Sequence, residues 1–273
     1  MATILKKTEG NVLTIKTIQI AAFKTLITAL KEILSETNIT FDSNGIRIIN
    51  MDKSHTILAY LKLYASNFEF FECKKEKIII GVDMMHLFTI INTIDNGDTL
   101  IISIDNNDYV DGIVSYLTIT FENNDKKQCK EHKLKLIEPD HEELVYPDVY
   151  FSSIINLPSS DFQKIIRDLS TFKSDKVEIK SVGNELIFKC SGAFVDVVLT
   201  RGESNELGFL LKQDSNKIMH GEYSLKILNY FTKCTNLCPQ IELFLENDLP
   251  LIVKYKIASL GSIRLCLSSL PSN

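Results

Sequence analysis

The chain has 273 residues, which is enough for two medium-sized domains that each bury a hydrophobic core. Hydrophobic residues make up 45% of it and charged residues 24%, a composition that is typical of globular proteins and excludes disorder, collagen and a disulfide scaffold. The formal net charge of −5 argues against a general nucleic-acid binder, so any DNA-binding surface must concentrate its cations locally.

The first residues lack the apolar core of a secretion signal, and no apolar run approaches the roughly 18 residues of a membrane span. We therefore expect an intracellular protein whose cysteines are free thiols. Cys234 and Cys238 are four residues apart but lack a second Cys or His pair, so we expect no metal there. The six cysteines are Cys73, Cys129, Cys190, Cys234, Cys238 and Cys266.

Taken in chain order, most of the sequence consists of short β-branched runs separated by Asn, Asp and Gly. Such runs, at 39–41, 46–49, 56–64 and 99–104, predict antiparallel strands, with a tight turn over 42–45.

Four segments change to the helical period, with apolar residues recurring on one face. They are Ile20 to Glu36, Asp83 to Ile94 with Asp83 as N-cap, a segment after Pro158 with Ser159 or Ser160 as N-cap, and Ser224 to Lys233. Three of them carry two cations each on the polar face. These cations are Lys24 and Lys31, Lys164 and Arg167, and Lys226 and Lys233.

The spacing of these segments indicates an internal repeat. Phe23 and Phe162, in the first and third helices, are 162 − 23 = 139 residues apart. Gly81 and Gly221, before the second and fourth helices, are 221 − 81 = 140 apart. We therefore predict two similar domains, over 1–138 and 152–273, joined by an exposed acidic linker over 139–151.

Common catalytic and nucleotide-binding motifs do not occur in the sequence, which has no Gly-rich phosphate loop, His-Glu-x-x-His or Gly-x-Ser-x-Gly. The acidic stretch over 105–112 has Tyr109 and Val110 where a calcium loop needs a ligand and a glycine, so we predict a hairpin turn. We expect no enzymatic activity, no cofactor and no metal.

The most specific signal in the sequence lies in four segments, at 50–55, 162–170, 228–233 and 248–258. In their order and spacing they resemble the proliferating cell nuclear antigen family of eukaryotic-type DNA sliding clamps, and the likeness extends over about 13–267. The resemblance implies an α+β fold with two similar clamp domains, each with two helices packed on antiparallel β-sheets. It also implies a head-to-tail homotrimeric ring around duplex DNA, with the helices lining the hole.

The resemblance further implies the partners and the location. The partners are duplex DNA, DNA polymerases and other replication and repair proteins with short clamp-binding motifs, a clamp loader and two copies of the same chain, but no membrane. The protein would be a processivity factor in the nucleus, or at a cytoplasmic replication site if its source is a large DNA virus.

Residues that match functional positions of the family fall into three sets. DNA-binding positions are Lys24, Lys31, Lys135, Lys164, Arg167, Lys226 and Lys233. The partner-peptide groove maps to Met51, Ser54, His55, Leu58, Leu144, Tyr146, Phe151, Pro250, Cys266 and Ser268. Subunit contacts, from pairing of 133–136 with a neighbour's 194–200, are Leu134, Leu136, Val195, Val197 and Leu199.

Two positions depart from the family pattern. The second helix has Thr89 and Asn92 where the family usually has lysines, so we expect a less positive sector there. Cys266 lies where the family often has an aromatic residue, which changes the shape of the groove.

Two alternatives remain open at this point. A checkpoint-type clamp subunit would assemble with two different chains, and a β-rich interaction protein would have no DNA role. Self-trimerisation and an effect of DNA topology on binding would discriminate them.

Overall fold

A computed structural model describes residues 10–140, 144–146, 149–212 and 217–271. They form two compact units. The first unit contains the described residues of Met1–Asn50, Tyr60–Val145 and Ile257–Ser262, and the second contains those of Met51–Ala59, Tyr146–Lys256 and Ile263–Asn273.

The N-terminal half of the chain contains helices α1 and α2, spanning Ile20–Ile33 and Met84–Ile91. Its strands are β1 Asn11–Thr17, β2 Glu36–Asp42, β3 Gly45–Met51, β4 Ile57–Tyr64, β5 Phe70–Cys73, β6 Ile78–Asp83, β7 Thr99–Asp105, β8 Tyr109–Val110, β9 Ile113–Val114, β10 Tyr116–Asn123 and β11 Gln128–Lys135. Short 3-10 helices cover Ala65–Asn67 and Asn106–Asp108.

The C-terminal half contains helices α3 and α4, spanning Ser159–Ser170 and Leu225–Phe231, and a 3-10 helix over Thr232–Leu237. Its strands are β12 Ser153–Pro158, β13 Lys176–Val182, β14 Glu185–Ser191, β15 Asp196–Gly202, β16 Gly208–Lys212, β17 Met219–Ser224, β18 Gln240–Leu245, β19 Leu251–Ile257 and β20 Gly261–Leu267.

The two halves have the same order of neighbouring strands, which confirms the internal repeat. The first has the orders β11-β10-β7-β1-β5 and β4-β3-β2-β6. The second has β20-β19-β18-β12-β16 and β15-β14-β13-β17, so each strand of these orders has a counterpart at the same place, and the β8–β9 hairpin is additional to the first half. Neighbouring strands such as β10 and β11, β14 and β15, and β2 and β6 pair antiparallel, as the alternating runs predict.

The helices bury the faces that their periodicity predicts. Phe23 in α1 and Phe162 in α3 are at equivalent positions, and their side chains are 6% and 0% exposed. Leu228 in α4 and Leu87 in α2 are buried likewise. Burying a large apolar side chain stabilises the folded state by about 1.5–3 kcal/mol, which explains why these positions are apolar in both halves.

Several predicted helix ends are wrong. The first helix ends at Ile33, because Leu34 is extended and Glu36 already begins β2. The second ends at Ile91 rather than Ile94, although its predicted cap is confirmed: the Asp83 carboxylate accepts a hydrogen bond from the His86 N–H at 2.9 Å.

The C-terminal half shows two further differences. Neither Ser159 nor Ser160 is the N-cap of α3: Ser159 is its first helical residue, and its hydroxyl donates to the Cys238 carbonyl. The fourth helix starts at Leu225 and continues beyond Phe231 as a 3-10 helix rather than ending at Lys233.

The predicted hairpin is confirmed. Strands β8 and β9 pair Tyr109 with Val114, and Asp111 and Gly112 at the tip have φ of 51° and 87°, which a tight two-residue turn requires. None of the helices in the described ranges is long and apolar enough to span a membrane.

Candidate functional site

The cations predicted on the second unit's helices lie on exposed faces. Lys164 and Arg167 in α3 and Lys226 in α4 are exposed, opposite the buried apolar stripe, and so is Lys233 in the following 3-10 helix. Arg167 Nε lies 3.9 Å from Asp168 Oδ1, a long contact between exposed groups that contributes little. These four cations are available to a polyanion.

The two lysines of α1 are more engaged than the sequence predicts. Lys24 Nζ donates to the carbonyl oxygens of Asn92 at 3.1 Å and Ile94 at 2.9 Å, just beyond the C-terminus of α2. A cation there is favourable because the carbonyls at a helix end carry partial negative charge. The lysine therefore fixes α2 beside α1.

Lys31 is also held within the first unit. Its side chain is only 15% exposed, its Nζ lies 2.6 Å from Glu32 Oε1 and 4.5 Å from the centre of the Phe88 ring. The exposed residues Thr89 and Asn92 carry no charge, so the first unit's helices present less available positive charge than the second unit's.

The segments predicted to form subunit contacts lie on edge strands. Strand β11, with exposed Lys135, is at one end of its sheet, and β15 is at one end of its own. Leu134 is buried, whereas Leu136, Val195, Val197 and Leu199 are half-buried. Val198, which lies on the opposite face of β15, is 62% exposed, and Phe194, two residues before the strand begins, is 72% exposed. Edge strands present unpaired backbone groups that another chain can use.

An apolar cluster in the second unit contains several of the predicted groove residues. Phe151, Ile252 and Cys266 are its buried centre. The half-buried residues around them are Leu58, Tyr146, Ile154, Phe244 and Leu249. We call these eight residues the groove cluster.

The groove cluster joins four predicted residues, Leu58, Tyr146, Phe151 and Cys266, to four that the sequence analysis missed. The Phe151 and Phe244 rings meet edge to face with centroids 5.6 Å apart. Of the other predicted residues, Met51 and Leu144 are half-buried. Leu144 belongs to the first unit. Exposed positions are Ser54, His55, Pro250 and Ser268.

Tyr146, Cys266 and Arg264 interact at one side of the groove cluster. Burial raises the pKa of the Cys266 thiol to about 12, despite its hydrogen bond with Tyr146 and the nearby Arg264 charge. Burial, with Cys266 nearby, likewise raises the pKa of Tyr146, against the lowering effect of Arg264. The Arg264 guanidinium lies 5.2 Å from the centre of the Tyr146 ring.

Asp52 organises the loop that carries Ser54 and His55. Its carboxylate accepts hydrogen bonds from the backbone N–H groups of Thr56 at 2.8 Å and Ile57 at 2.7 Å. Burial raises the pKa of Asp52, but the Ser54, Ile57 and Thr56 hydrogen bonds outweigh it and the pKa is lowered. His55 has a φ of 54°, a left-handed conformation that this network holds in place.

A second network fixes the backbone next to Phe151. Glu246 accepts from the Ser152 N–H at 2.8 Å and pairs with Lys217 at 2.6 Å. Burial raises the pKa of Glu246, but the Lys217 and Ser152 hydrogen bonds outweigh it and the pKa is lowered. The sequence analysis missed both networks. The Asp and Glu residues that lie close in sequence to the apolar groove segments could have indicated them.

In the described part of the chain, no group of three His, Cys, Asp or Glu side chains could hold a metal ion. Cys234 is fully buried, and burial with Cys238 nearby raises its pKa far above the usual value.

Comparison with known families decides the relationship. Residues 12–143 match the family described as "Proliferating cell nuclear antigen, N-terminal domain", and residues 145–270 match its C-terminal domain. The chain belongs to the proliferating cell nuclear antigen family. The resemblance and the fold class predicted from the sequence are confirmed.

Individual relatives agree with this assignment. A "Probable DNA polymerase sliding clamp 1" of Paramecium bursaria Chlorella virus 1 is 29% identical over 94% of this chain and 97% of its own length. "Proliferating cell nuclear antigen 2" of Drosophila melanogaster is 29% identical over 92% of this chain and 94% of its own length. A "Probable DNA polymerase sliding clamp" of Acanthamoeba polyphaga mimivirus is 33% identical over 83% of this chain, which spans only 47% of that relative.

A solved structure supports the fold. Proliferating cellular nuclear antigen from Entamoeba histolytica superposes with a TM-score of 0.84 at 25% sequence identity, covering 96% of this chain and 100% of that one.

Proposed function

We propose that this clamp protein acts as a homotrimeric ring that encircles duplex DNA and tethers DNA polymerases to it. The observation that carries the proposal is the duplicated unit, whose two copies share one strand order and end in two edge strands, β11 and β15. Three copies of a two-unit chain provide six units for a closed ring.

Head-to-tail assembly by β11 and β15 is supported by their counterparts within the chain. In the repeat, β20 corresponds to β11 and β4 to β15. Backbone hydrogen bonds run between the ends of these counterparts, from the Tyr64 N–H to the Leu260 carbonyl at 2.9 Å and from the Ser268 N–H to the Thr56 carbonyl at 3.2 Å. Equivalent bonds between β11 of one chain and β15 of the next would close the ring and protect both edges.

The helix cations support contact with DNA phosphates. Lys164, Arg167, Lys226 and Lys233 are exposed on one unit, and a trimer presents each of them three times, with Lys24, Lys31 and Lys135 contributing charge from the first unit. Phosphate contacts carry no sequence information, so binding would be sequence-independent and weakened by salt. Such contacts suit a ring that slides.

The groove cluster supports recognition of short partner motifs. A half-buried apolar surface beside a linker accepts a helical turn with aliphatic and aromatic anchors. We propose that Met51, Ser54, His55, Leu144, Pro250 and Ser268 border this site. DNA polymerases, repair proteins and a clamp loader would bind there while the ring itself serves as a non-catalytic scaffold.

Light scattering tests the assembly. Trimerisation at micromolar concentration predicts a mass of about 93 kDa, three times 31.0 kDa. A persistent 31 kDa species would contradict the ring, and trimers formed only with two other chains would favour the checkpoint-type alternative. We propose action in the nucleus, or at a cytoplasmic replication site if the source is a large DNA virus, since the relatives come from both cellular and viral sources.

A further inference from the structure

We propose that Lys133 of one chain bridges two carboxylates in the ring, Asp108 beside its own hairpin and Asp196 of the next chain. The inference rests on the proposed ring, and it assigns residues that recognise a second copy of this chain as the neighbour. Its basis is the internal repeat, because one chain already contains a junction of the same kind between β20 and β4.

The first strand of the boundary, β11, can be aligned with β20 from its burial pattern. Leu134 is the last buried residue of β11, and Leu267 is the last buried residue of β20. Lys133 therefore corresponds to Cys266. Because Cys266 lies at the centre of the groove cluster, Lys133 occupies the equivalent place at the proposed subunit boundary.

The second strand, β15, can be aligned with β4 from the turns that precede them. In each turn one backbone N–H donates to a carbonyl at the start of the strand, from Gly192 to Val195 at 2.9 Å and from Asp52 to Ile57 at 3.0 Å. Val195 therefore corresponds to Ile57. The next residue, Asp196, corresponds to Leu58 of the groove cluster.

A backbone bond between the ends of β20 and β4 indicates how β11 would meet β15. Within the chain, the Ser268 N–H donates to the Thr56 carbonyl at 3.2 Å. By the two alignments, the corresponding bond in the ring runs from the Lys135 N–H to a neighbour's Phe194 carbonyl.

A second bond gives the same register independently. The Tyr64 N–H donates to the Leu260 carbonyl at 2.9 Å. Its counterpart in the ring runs from a neighbour's Gly202 to Lys127, at the other end of the two strands. Both counterparts fit one antiparallel pairing without a shift.

In this register Lys133 and a neighbour's Asp196 lie directly opposite each other. Directly opposite residues on antiparallel strands have Cβ atoms about 4.5–5.5 Å apart, and a pair of opposite charges there is favourable. Asp196 is exposed on its edge strand, where a neighbouring chain can reach its carboxylate.

Lys133 can contact this carboxylate while it keeps the contacts that it makes within its own chain. Its Nζ lies 2.9 Å from Asp108 Oδ2 and 4.7 Å from the centre of the Tyr116 ring, and 53% of its side chain is exposed. An ammonium group has three N–H donors, so one can serve Asp108 and another Asp196.

The β8–β9 hairpin, which is additional to the first half, fixes Asp108 at this place. The Ser115 N–H donates to the Asp108 carbonyl at 3.0 Å and closes the base of the hairpin. The Leu136 N–H donates to the Ser115 carbonyl at 3.1 Å and joins that base to the end of β11. The hairpin therefore orients Lys133 at the edge strand, and the boundary would hold an ion bridge where the second unit holds the apolar groove cluster.

Charge reversal tests the bridge, with light scattering across a dilution series of the full-length protein as the measurement. Asp196→Lys places two cations opposite each other and should raise the concentration at which half of the trimer dissociates at least tenfold. The difference from the wild type should shrink at 0.5 M salt.

An exchange of charges assigns the effect to this pair. In the double variant Lys133→Glu with Asp196→Lys, the introduced lysine faces two carboxylates, so the half-dissociation concentration should return to within about threefold of the wild type. Asp175→Lys, at an exposed position just before β13 and two strands from the edge, is the matched control and should change nothing.

Failure of the bridge and failure of the ring give different results. Wild-type trimers that Asp196→Lys leaves equally stable, or a weakening that the exchange does not reverse, would overturn the bridge and leave the ring intact. A wild-type protein that stays monomeric would instead count against the ring itself.

Discussion

Strands β11 and β20 occupy the same place in the two halves, yet they have opposite surfaces. Strand β20 ends in the buried run Leu265, Cys266 and Leu267, which contributes to the groove cluster. Strand β11 is exposed over most of its length, with Leu134 as its buried residue. Strand β20 lies between β19 and β4, whereas β11 is at one end of its sheet. The shared strand order therefore does not by itself determine whether a strand end becomes an apolar site or an exposed edge.

The segments before β19 and β10, the strands that neighbour β20 and β11, also differ in polarity. Before β19, Leu249 packs against the groove cluster. Before β10 the chain forms the β8–β9 hairpin, where Asp108 pairs with Lys133 at 2.9 Å. The hydrogen bond that Lys133 donates to the Asp108 carboxylate raises the pKa of Lys133, whose Nζ also lies 4.7 Å from the Tyr116 ring centre. This half places an ion pair where the other places an apolar cluster.

The largest expected effect tests whether the equivalent cores are equally essential. Phe162→Ala removes a completely buried ring and should lower the free energy of unfolding by about 3–5 kcal/mol, and Phe23→Ala by slightly less because its ring is 6% exposed. Urea unfolding followed by circular dichroism measures both. Ile18→Ala, at a 60% exposed position, is the control and should stay within about 0.5 kcal/mol. A near-neutral Phe162→Ala would contradict the core assignment.

A second variant tests the edge strands. Val198→Lys adds a cation to β15 at a 62% exposed position. In the proposed ring this strand pairs with the lysine-bearing β11 of a neighbour, so the variant should weaken trimerisation about hundredfold. Sedimentation or light scattering across a dilution series measures it. Ile113→Lys, on the hairpin at 68% exposure, is matched in chemistry and should leave the mass unchanged. Equal trimers from both variants would remove β15 from the interface.

The reactivity of one cysteine on each strand compares β11 and β20 directly. Cys129 on β11 is exposed, whereas the pKa of Cys266 on β20 is about 12 instead of 9.0. Relative to a thiol of pKa 9.0, a pKa of about 12 lowers the thiolate fraction about a thousandfold, and the greater nucleophilicity of a high-pKa thiolate recovers about half of that in logarithmic terms. Cys266 should therefore react with iodoacetamide at least roughly thirtyfold more slowly than an ordinary thiol, and more slowly than the exposed Cys129, as peptide mass spectrometry over time would show. Faster modification of Cys266 would mean that the groove cluster is open to water.

The smallest expected effect concerns acid. The pKa values of Asp52 and Glu246 are lowered in the folded protein, so the unfolded chain binds more protons as the pH falls towards them. Their stabilisation is present above the ordinary carboxyl pKa values, near 4, and is lost as the pH drops through the lower folded values. Melting temperatures recorded from pH 7 to 2.5 should fall less steeply in Asp52→Asn and Glu246→Gln than in the wild type. Parallel curves would show that these networks do not carry the acid dependence.

Periodicity was sufficient to predict the repeat and the helix cores, because a 3.6-residue pattern of buried side chains survives divergence between the halves. It misplaced helix ends for a physical reason. Leu34 continues the apolar stripe but is buried in an extended conformation, and burial alone does not distinguish the two. Ser159 does not cap its helix because its hydroxyl donates to Cys238, a residue 79 positions away that local sequence cannot reveal.

The candidate site was only partly predictable. Family resemblance identifies Tyr146, Phe151 and Cys266, but Phe244 and Arg264 join them only through strand pairing, which the sequence alone does not specify. The engagement of Lys24 with the carbonyls after α2 was missed for the same reason, since it joins residues 68 and 70 positions apart.

Topological retention on DNA tests encirclement most directly. The protein, loaded by a clamp loader onto closed circular DNA at moderate salt, should remain bound through gel filtration and should be released when a restriction enzyme linearises the circle. Release on linearisation is expected because phosphate contacts to exposed side chains such as Lys164 and Arg167 are weak and a ring can slide off an end. Equal retention on circular and linear DNA would contradict the ring.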